Sequence, residues 1–345
     1  MKLLICTQAV DADHPILGFF IGWIEEFAKH FEEVHVICLQ KGRYDLPQHV
    51  HVYSLGKEEG ESRIKYLFRF YRYFSRVFLT VRVDYVFFHM GAVYNILAAP
   101  FFMLRRFYGT KFYWWKAHGT ISLMSRTALF FVDGIYTASA ESFPIATKKR
   151  HVVGHGIETN VAIVSPSPES HPVILFVGRI TPRKNLACFV LTIYELRNRG
   201  LHVRGRIIGA MPDEAYIHNI RELITELGLS EIVSLEGPRE HRALEEEYKH
   251  AAIMINSSET GSIDKVVLEA MAHGLPCVAS ASAYGELLGR FGLATAQQNP
   301  KLYADAVEHV LRMDEGTRME LAKMLRGEVV AHHSLSTLTN RIFSL

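Results

Sequence analysis

The sequence predicts an α/β protein built from two doubly wound parallel sheets. Three observations carry that prediction. Short apolar, β-branched runs alternate with longer helical patterns, as in βα units. The runs are nearly continuous in apolar residues, as strands covered on both faces are. The whole succession occurs twice, and a chain of 345 residues is long enough for a core in each half.

The first set runs "KLLICTQ", a helix from Gly18 to His30, "EVHVICL", a further helix, "DYVFFHM", "KFYWWKAHG" and "GIYTAS". The second begins at "PVILFVGRI" and continues with a helix from Asn185 to Gly200, "VRGRIIGA", a helix from Glu214 to Leu227, "IVSLEG", "AAIMINSS", a helix ending at His273 and "PCVAS". Between them "ETNVAIVSPSPESHP" is rich in Ser and Pro and lacks periodicity, which marks a junction. The expected domains are 1–156, a linker 157–172, a second domain 173–315, and C-terminal helices 316–345 that pack back on the first domain.

Composition narrows the class. A hydrophobic fraction of 49% with 21% charged residues describes a globular chain. A net charge of +2 excludes a wholly basic nucleic-acid binder, and no nucleic-acid motif is present. Cys6, Cys38, Cys188 and Cys277 lie far apart in apolar runs, so they read as reduced core thiols of a cytoplasmic protein. "MKLLICTQAV" is too short an apolar run for a signal peptide, and no run reaches the ~20 apolar residues of a spanning helix.

Two stretches carry chemistry. In "FVGRITPRKN" a strand ends at Gly178, Arg179 follows, and Lys184 and Asn185 open the next helix. Two cations at a strand's carboxyl end, beside a helix N-terminus, suit a diphosphate; two solvated loop cations are the plainer alternative. In "TGSIDKVVLEAMAHGLPCVAS" Ser262 is the expected N-cap, Val266, Val267, Ala270 and Met271 form an apolar face, and Gly274 ends the helix. Thr260, Gly261 and Ser262 let a ligand approach the backbone, while Glu269 is either a ligand-binding carboxylate or a surface acid.

Together "VGRITPRKN" and "VVLEAMAHGLPCVAS" resemble the donor domain of the retaining GT-B glycosyltransferases of the family-four, group 1 type; "VVGHGIETN" and "LGLSEIVSLEGPREHRALEEEYKHAAIMINSS" follow its order of elements. The resemblance implies a GT-B fold, two Rossmann-like doubly wound domains facing each other across an interdomain cleft, with the acceptor on the first and the nucleotide sugar on the second. It implies transfer of a sugar from a nucleotide diphosphate sugar to a hydroxyl acceptor, lipid-linked or a glycan under assembly, with retention and with no metal or other cofactor. Arg179 and Lys184 would hold the diphosphate and Glu269 the ribose hydroxyls. The family places another glutamate eight residues before the ribose-binding one, where this chain has Gly261. Glu259, Asp264, or the backbone N–H groups of Gly261, Ser262 and Ile263 are the candidates to replace it.

In the first domain Gly18, in "ADHPILGFF", is the expected point of close approach to the donor phosphates, and His118, in "WWKAHG", sits where the family often has a histidine near the transferred sugar. His89, in "FFHM", competes for that place. A nucleotide-sugar epimerase and a non-catalytic sugar-nucleotide or membrane-surface protein stay as the alternatives. Finally, residues 62–83 hold six basic residues and no acid, with Lys65, Arg69, Arg72 and Arg76 on one helical face and Leu67, Phe70, Phe74, Phe78 and Val81 on another. Such a helix either meets an anionic membrane surface, peripheral on the inner face, or simply covers the sheet.

Overall fold

The computed structural model describes all residues except 15, 118, 164–170, 259–262, 296–298 and 345, and leaves out the side chains of 242 and 281–283. The chain divides into two compact units, residues 1–156 with 335–345, and residues 157–334. Among the described residues, the first holds a seven-stranded parallel sheet in the order β3-β2-β1-β4-β5-β6-β7. Its strands are β1 (Lys2–Val10), β2 (Glu33–Lys41), β3 (Val50–Ser54), β4 (Tyr85–His89), β5 (Lys111–Trp115), β6 (Gly134–Thr137) and β7 (Arg150–Val152). The second holds a parallel sheet in the order β10-β9-β8-β11-β12-β13, formed by β8 (Val173–Val177), β9 (Arg204–Ile208), β10 (Val233–Glu236), β11 (Ile253–Asn256), β12 (Cys277–Ser280) and β13 (Ala294–Thr295).

In the first unit the sheet is covered by α1 (Phe20–Ala28) on one face, and by α2 (Arg63–Arg76), α3 (Ala92–Leu97), α4 (Ala99–Tyr108) and α5 (Leu123–Ala128) on the other. Burial of both faces explains why β1 and β4 read as apolar runs: Leu3, Leu4, Ile5, Cys6, Val86, Phe87 and Phe88 have no exposed surface. Ser62 caps α2 by accepting from the Lys65 N–H, and the helix passes into a π-helical turn, Val77–Val81, that ends at Arg82 with a left-handed φ of 58°. Phe70, Phe74 and Phe78 are fully buried as the periodicity requires. Leu67, by contrast, is exposed, because its position lies off the inward stripe that those three residues define.

In the second unit the helices are α6 (Leu186–Asn198), α7 (Glu214–Glu226), α8 (Leu244–His250), α9 (Lys265–Ala272), α10 (Ala281–Leu288), α11 (Pro300–Leu311) and α12 (Glu315–His333). Residues 316–345 do not act as one appendage. α12 stays with the second unit, where the Arg326 guanidinium donates to the carbonyls of Thr159, Val161 and Ala272 and so also ties down the start of the expected linker. Only α13 (Leu335–Phe343) belongs to the first unit, where Phe343 meets Phe27, Phe31 and Tyr85 edge-on at ring distances of 5.0–5.2 Å. The four cysteines are buried and no disulfide joins any of them. Among the described residues no helix is long and apolar enough to cross a membrane.

Candidate functional site

Each sheet reverses its strand order once, between β1 and β4 in the first unit and between β8 and β11 in the second. The carboxyl ends of the strands flanking such a reversal leave a crevice where ligands bind in open α/β sheets. In the second unit that place is polar. β8 ends at Val177, and the chain turns through Gly178 and Arg179 into a single 3-10 turn, Pro182–Lys184, before Asn185 starts α6 in a left-handed conformation and caps it through Cys188 N–H. Gly209, at the end of β9, has to be glycine, since a Cβ there would overlap the Gly178 carbonyl. The end of β11 stitches itself to this turn: the Ser257 hydroxyl lies 2.9 Å from the Lys184 carbonyl and 3.0 Å from that of Asn185, donating to one or the other.

On that frame Lys184 Nζ lies 2.6 Å from Asp264 Oδ2 and donates to Ser258 Oγ at 3.3 Å. The same Asp264 oxygen accepts from Asn256 Nδ2 at 2.9 Å, and the Asp264 N–H donates to the Tyr284 hydroxyl at 2.6 Å. Asp264, not Ser262, stands at the N-cap position of α9, and its carboxylate is turned to Lys184 with no cap bond of its own. A cation outbids a backbone N–H for a carboxylate, which is why the cap was misplaced by pattern alone. Arg179 differs from Lys184: it is exposed and forms no ion pair among the described residues.

One helical turn further along α9, the Glu269 carboxylate is 12% exposed, accepts from the Tyr248 hydroxyl at 3.4 Å and lies 3.9 Å from His241 Nε2. Lone pairs remain for further donors, so the group suits a pair of hydroxyls. Burial, with Glu269 opposing it, pushes the Lys265 ammonium down to about 8. Lys265 lies four residues from Glu269 on the same face. Lys265, Asn256 and Tyr248 were not picked out from the sequence. A lysine at the start of a helix and a tyrosine in a helix are too common to signal anything alone, and only the fold brings α8, the end of β11 and the start of α9 together.

Ile263 is partly buried and packs on the second core. Gly261, Ser262, Glu259 and His118 lie outside the described residues. Asp264, a candidate for the missing acid, is engaged by Lys184 and Asn256. In the first unit Gly18 answers to its own loop: a Cβ would stand 2.6 Å from the Ala12 carbonyl oxygen, and the Gly18 N–H donates to His14. His89 is a core histidine. It is 1% exposed, stacks on Phe20 at 3.9 Å and shares a 3.0 Å hydrogen bond with the Thr7 hydroxyl.

Residues 171–313 match the family model of glycosyl transferases group 1. Within the match lie the Lys184 turn, the Asp264 network and Glu269. A D-inositol 3-phosphate glycosyltransferase of Frankia alni is 31% identical over 151 residues, 41% of this chain and 37% of its own length. A namesake of Corynebacterium efficiens is 30% identical over 161 residues, 44% and 37% of the two chains. The chain thus matches well under half the length of these relatives. The fold of the whole chain is GT-B. It is similar to Anabaena Alr3699/HepE in complex with UDP, with a TM-score of 0.76, 17% identity and coverage of 100% of this chain and 99% of the other. The same protein with UDP-glucose gives 0.72 at 16% identity, covering 100% and 98%.

Proposed function

We propose that the protein is a retaining glycosyltransferase that moves a sugar from a nucleotide diphosphate sugar, with UDP the favoured nucleotide, to a hydroxyl acceptor, lipid-linked or a glycan under assembly. The observation that carries this is the second unit's switch point: two cations of unequal freedom, Arg179 and Lys184, and the half-buried carboxylate Glu269 stand within a group 1 match. UDP is favoured because HepE, similar in fold, is described with UDP and UDP-glucose.

In this reading Arg179 and Lys184 stabilise the charge that develops on the departing diphosphate, the contribution that usually dominates such reactions. Lys265 adds a third positive charge at the start of α9. Glu269 accepts the two ribose hydroxyls. The part of the acid missing at Gly261 falls to Glu259, to Asp264 or to the backbone N–H groups of Gly261, Ser262 and Ile263, and Gly18 and His118 are the first domain's contributions. The leaving phosphate takes the acceptor's proton, and the cations make a metal unnecessary. The enzyme works in the cytoplasm, with an anionic membrane on its inner face as the surface that presents the acceptor through residues 62–83.

The test is thermal unfolding of the full chain against UDP-, GDP- and ADP-sugars, followed by product analysis in the presence of a chelator. A ligand at a hundredfold over its Kd adds about 2.7 kcal/mol to the folded state. The expected result is stabilisation by a UDP-sugar, lost in Arg179→Ala, and a product whose anomeric configuration by NMR equals the donor's. If no nucleotide sugar shifts the transition, the reading fails.

A further inference from the structure

Among the described residues, all six large apolar side chains that are more than two-thirds exposed lie in one layer of the first unit. They are Ile64 (81%) and Phe68 (68%) on α2, Met103 (68%) and Phe107 (85%) on α4, Leu123 (81%) at the start of α5, and Phe130 (72%) just after it. The elements form a continuous layer, because their inner faces interlock. Phe74 of α2 meets Phe101 of α4 at 4.7 Å, Phe78 meets Tyr108 at 5.1 Å, and Phe102 meets Phe131 at 6.2 Å. No core residue forces those six outward positions to be apolar.

The charge of the same layer is one-sided. From Ser62 to Val132 the chain holds eleven lysines and arginines against one acid, Asp84. Lys65 and Arg69, on the face that the sequence pointed to, are already paired with Glu59 and Glu61. Arg105 is paired with Asp133. Arg72, Arg76, Arg82, Arg106, Lys111 and Arg126 are exposed and form no ion pair among the described residues. At the edge of the layer Arg106 and Lys111 line an open pocket of about 510 Å³ with Arg105, Asp133, Thr110 and His151, the Lys111 ammonium lying over the Tyr85 ring.

We propose that the α2–α4–α5 layer is a docking face for an anionic lipid bilayer, with Phe107, Met103 and Phe130 entering the headgroup region and Arg106 and Lys111 meeting lipid phosphates. Apolar side chains ringed by unpaired cations match an anionic, amphiphilic surface. A second copy fits poorly, since a two-fold contact would set these cations against themselves. The inference extends the membrane surface named above from one helix to a whole layer, and moves its charged anchor from Lys65 and Arg69 to Arg106 on α4 and Lys111 at the start of β5. It does not depend on the transfer reaction.

The experiment is sedimentation of the full chain with phosphatidylcholine vesicles, with and without about one-quarter phosphatidylglycerol. Wild type is expected to sediment only with the anionic vesicles. Arg106→Gln with Lys111→Gln should weaken that binding about thirtyfold, from about fivefold per cation. Phe107→Ser with Phe130→Ser, or Met103→Ser alone, should weaken it about tenfold or more. Lys301→Gln with Lys323→Gln, exposed cations of the second unit, should change nothing. Thermal unfolding of each variant separates lost docking from lost folding. The proposal is overturned if wild type ignores anionic vesicles, if the second-unit pair loses as much as the Arg106–Lys111 pair, or if wild type is a dimer that Phe107→Ser dissociates. Nucleotide-sugar binding is read separately, so either outcome leaves the glycosyltransferase reading to its own test.

Discussion

The two strand-order reversals sit at equivalent places in their sheets and are built in opposite ways. Between β8 and β11 the strand ends carry Lys184, Asn256, Ser258 and Asp264, a network of charge and hydrogen bonds that is only partly buried. Between β1 and β4 the strand ends carry Thr7 and His89, both essentially buried, with His89 under the Phe20 ring. A polar network left open to solvent at such a point can exchange its partners for a ligand's. A hydrogen bond sealed beneath an aromatic ring can only hold the fold.

The sharpest break of this contrast is Lys184→Ala. It should cost about a hundredfold or more in nucleotide diphosphate affinity and also lower the stability of the protein by about 2–3 kcal/mol, because Asp264 is left half-buried without its cation. Arg179→Ala should lower affinity without a stability loss, since the exposed arginine forms no ion pair among the described residues. Calorimetric titration and thermal unfolding on the same samples check both. If Lys184→Ala binds nucleotide normally, the Lys184–Asp264 pair is structural and the open crevice is not the donor site.

His89→Ala tests the other side. Loss of the stacked ring and of the Thr7 bond should destabilise by about 2–3 kcal/mol and leave nucleotide affinity within twofold. A variant that unfolds normally but loses turnover would place His89 in the chemistry after all.

These cases also mark what the sequence could carry. The βα alternation was legible because strands buried on both faces read as apolar runs, "VILFV" and "IMIN" among them. The place of Arg179 and Lys184 just after β8 was legible because position after a strand is a local property. His89 was not, because whether a histidine after a strand faces solvent depends on Phe20, sixty-nine positions away. Nor was the split of the C-terminal helices, which is set by Arg326 reaching three carbonyls on other segments. The basic face of α2 misled for the same reason: Glu59 and Glu61, just outside the window of 62–83, neutralise Lys65 and Arg69.

Glu269→Gln should have a smaller effect than the lysine, about tenfold in affinity for a ribose nucleotide, since a carboxamide still accepts one hydroxyl. The loss should vanish for a 2′,3′-dideoxy nucleotide. An equal loss with both nucleotides would mean that Glu269 acts by holding Tyr248 and His241, not the ribose.

The smallest effect is expected where charge serves structure alone. At the end of β10, away from the Lys184 network, Arg206 donates to both Glu236 oxygens at 2.8 Å, and Arg239 adds a bond at 2.9 Å. Arg206 lowers the Glu236 carboxyl to about 2. A carboxylate whose folded value is depressed stabilises the fold above its unfolded value, and that stabilisation is lost as pH falls through the folded value. For Glu236 the window runs from about 4.5 down to about 2. Glu236→Gln should therefore cost about 1–2 kcal/mol at neutral pH, with the group partly solvent-screened, and progressively less below pH 4.5. Urea unfolding across that range reads the difference directly. A penalty that stays constant down to the lowest pH would assign it to lost hydrogen bonds in place of charge, and would remove the electrostatic part of the contrast between a paired acid that holds a strand end and one, Asp264, that holds Lys184.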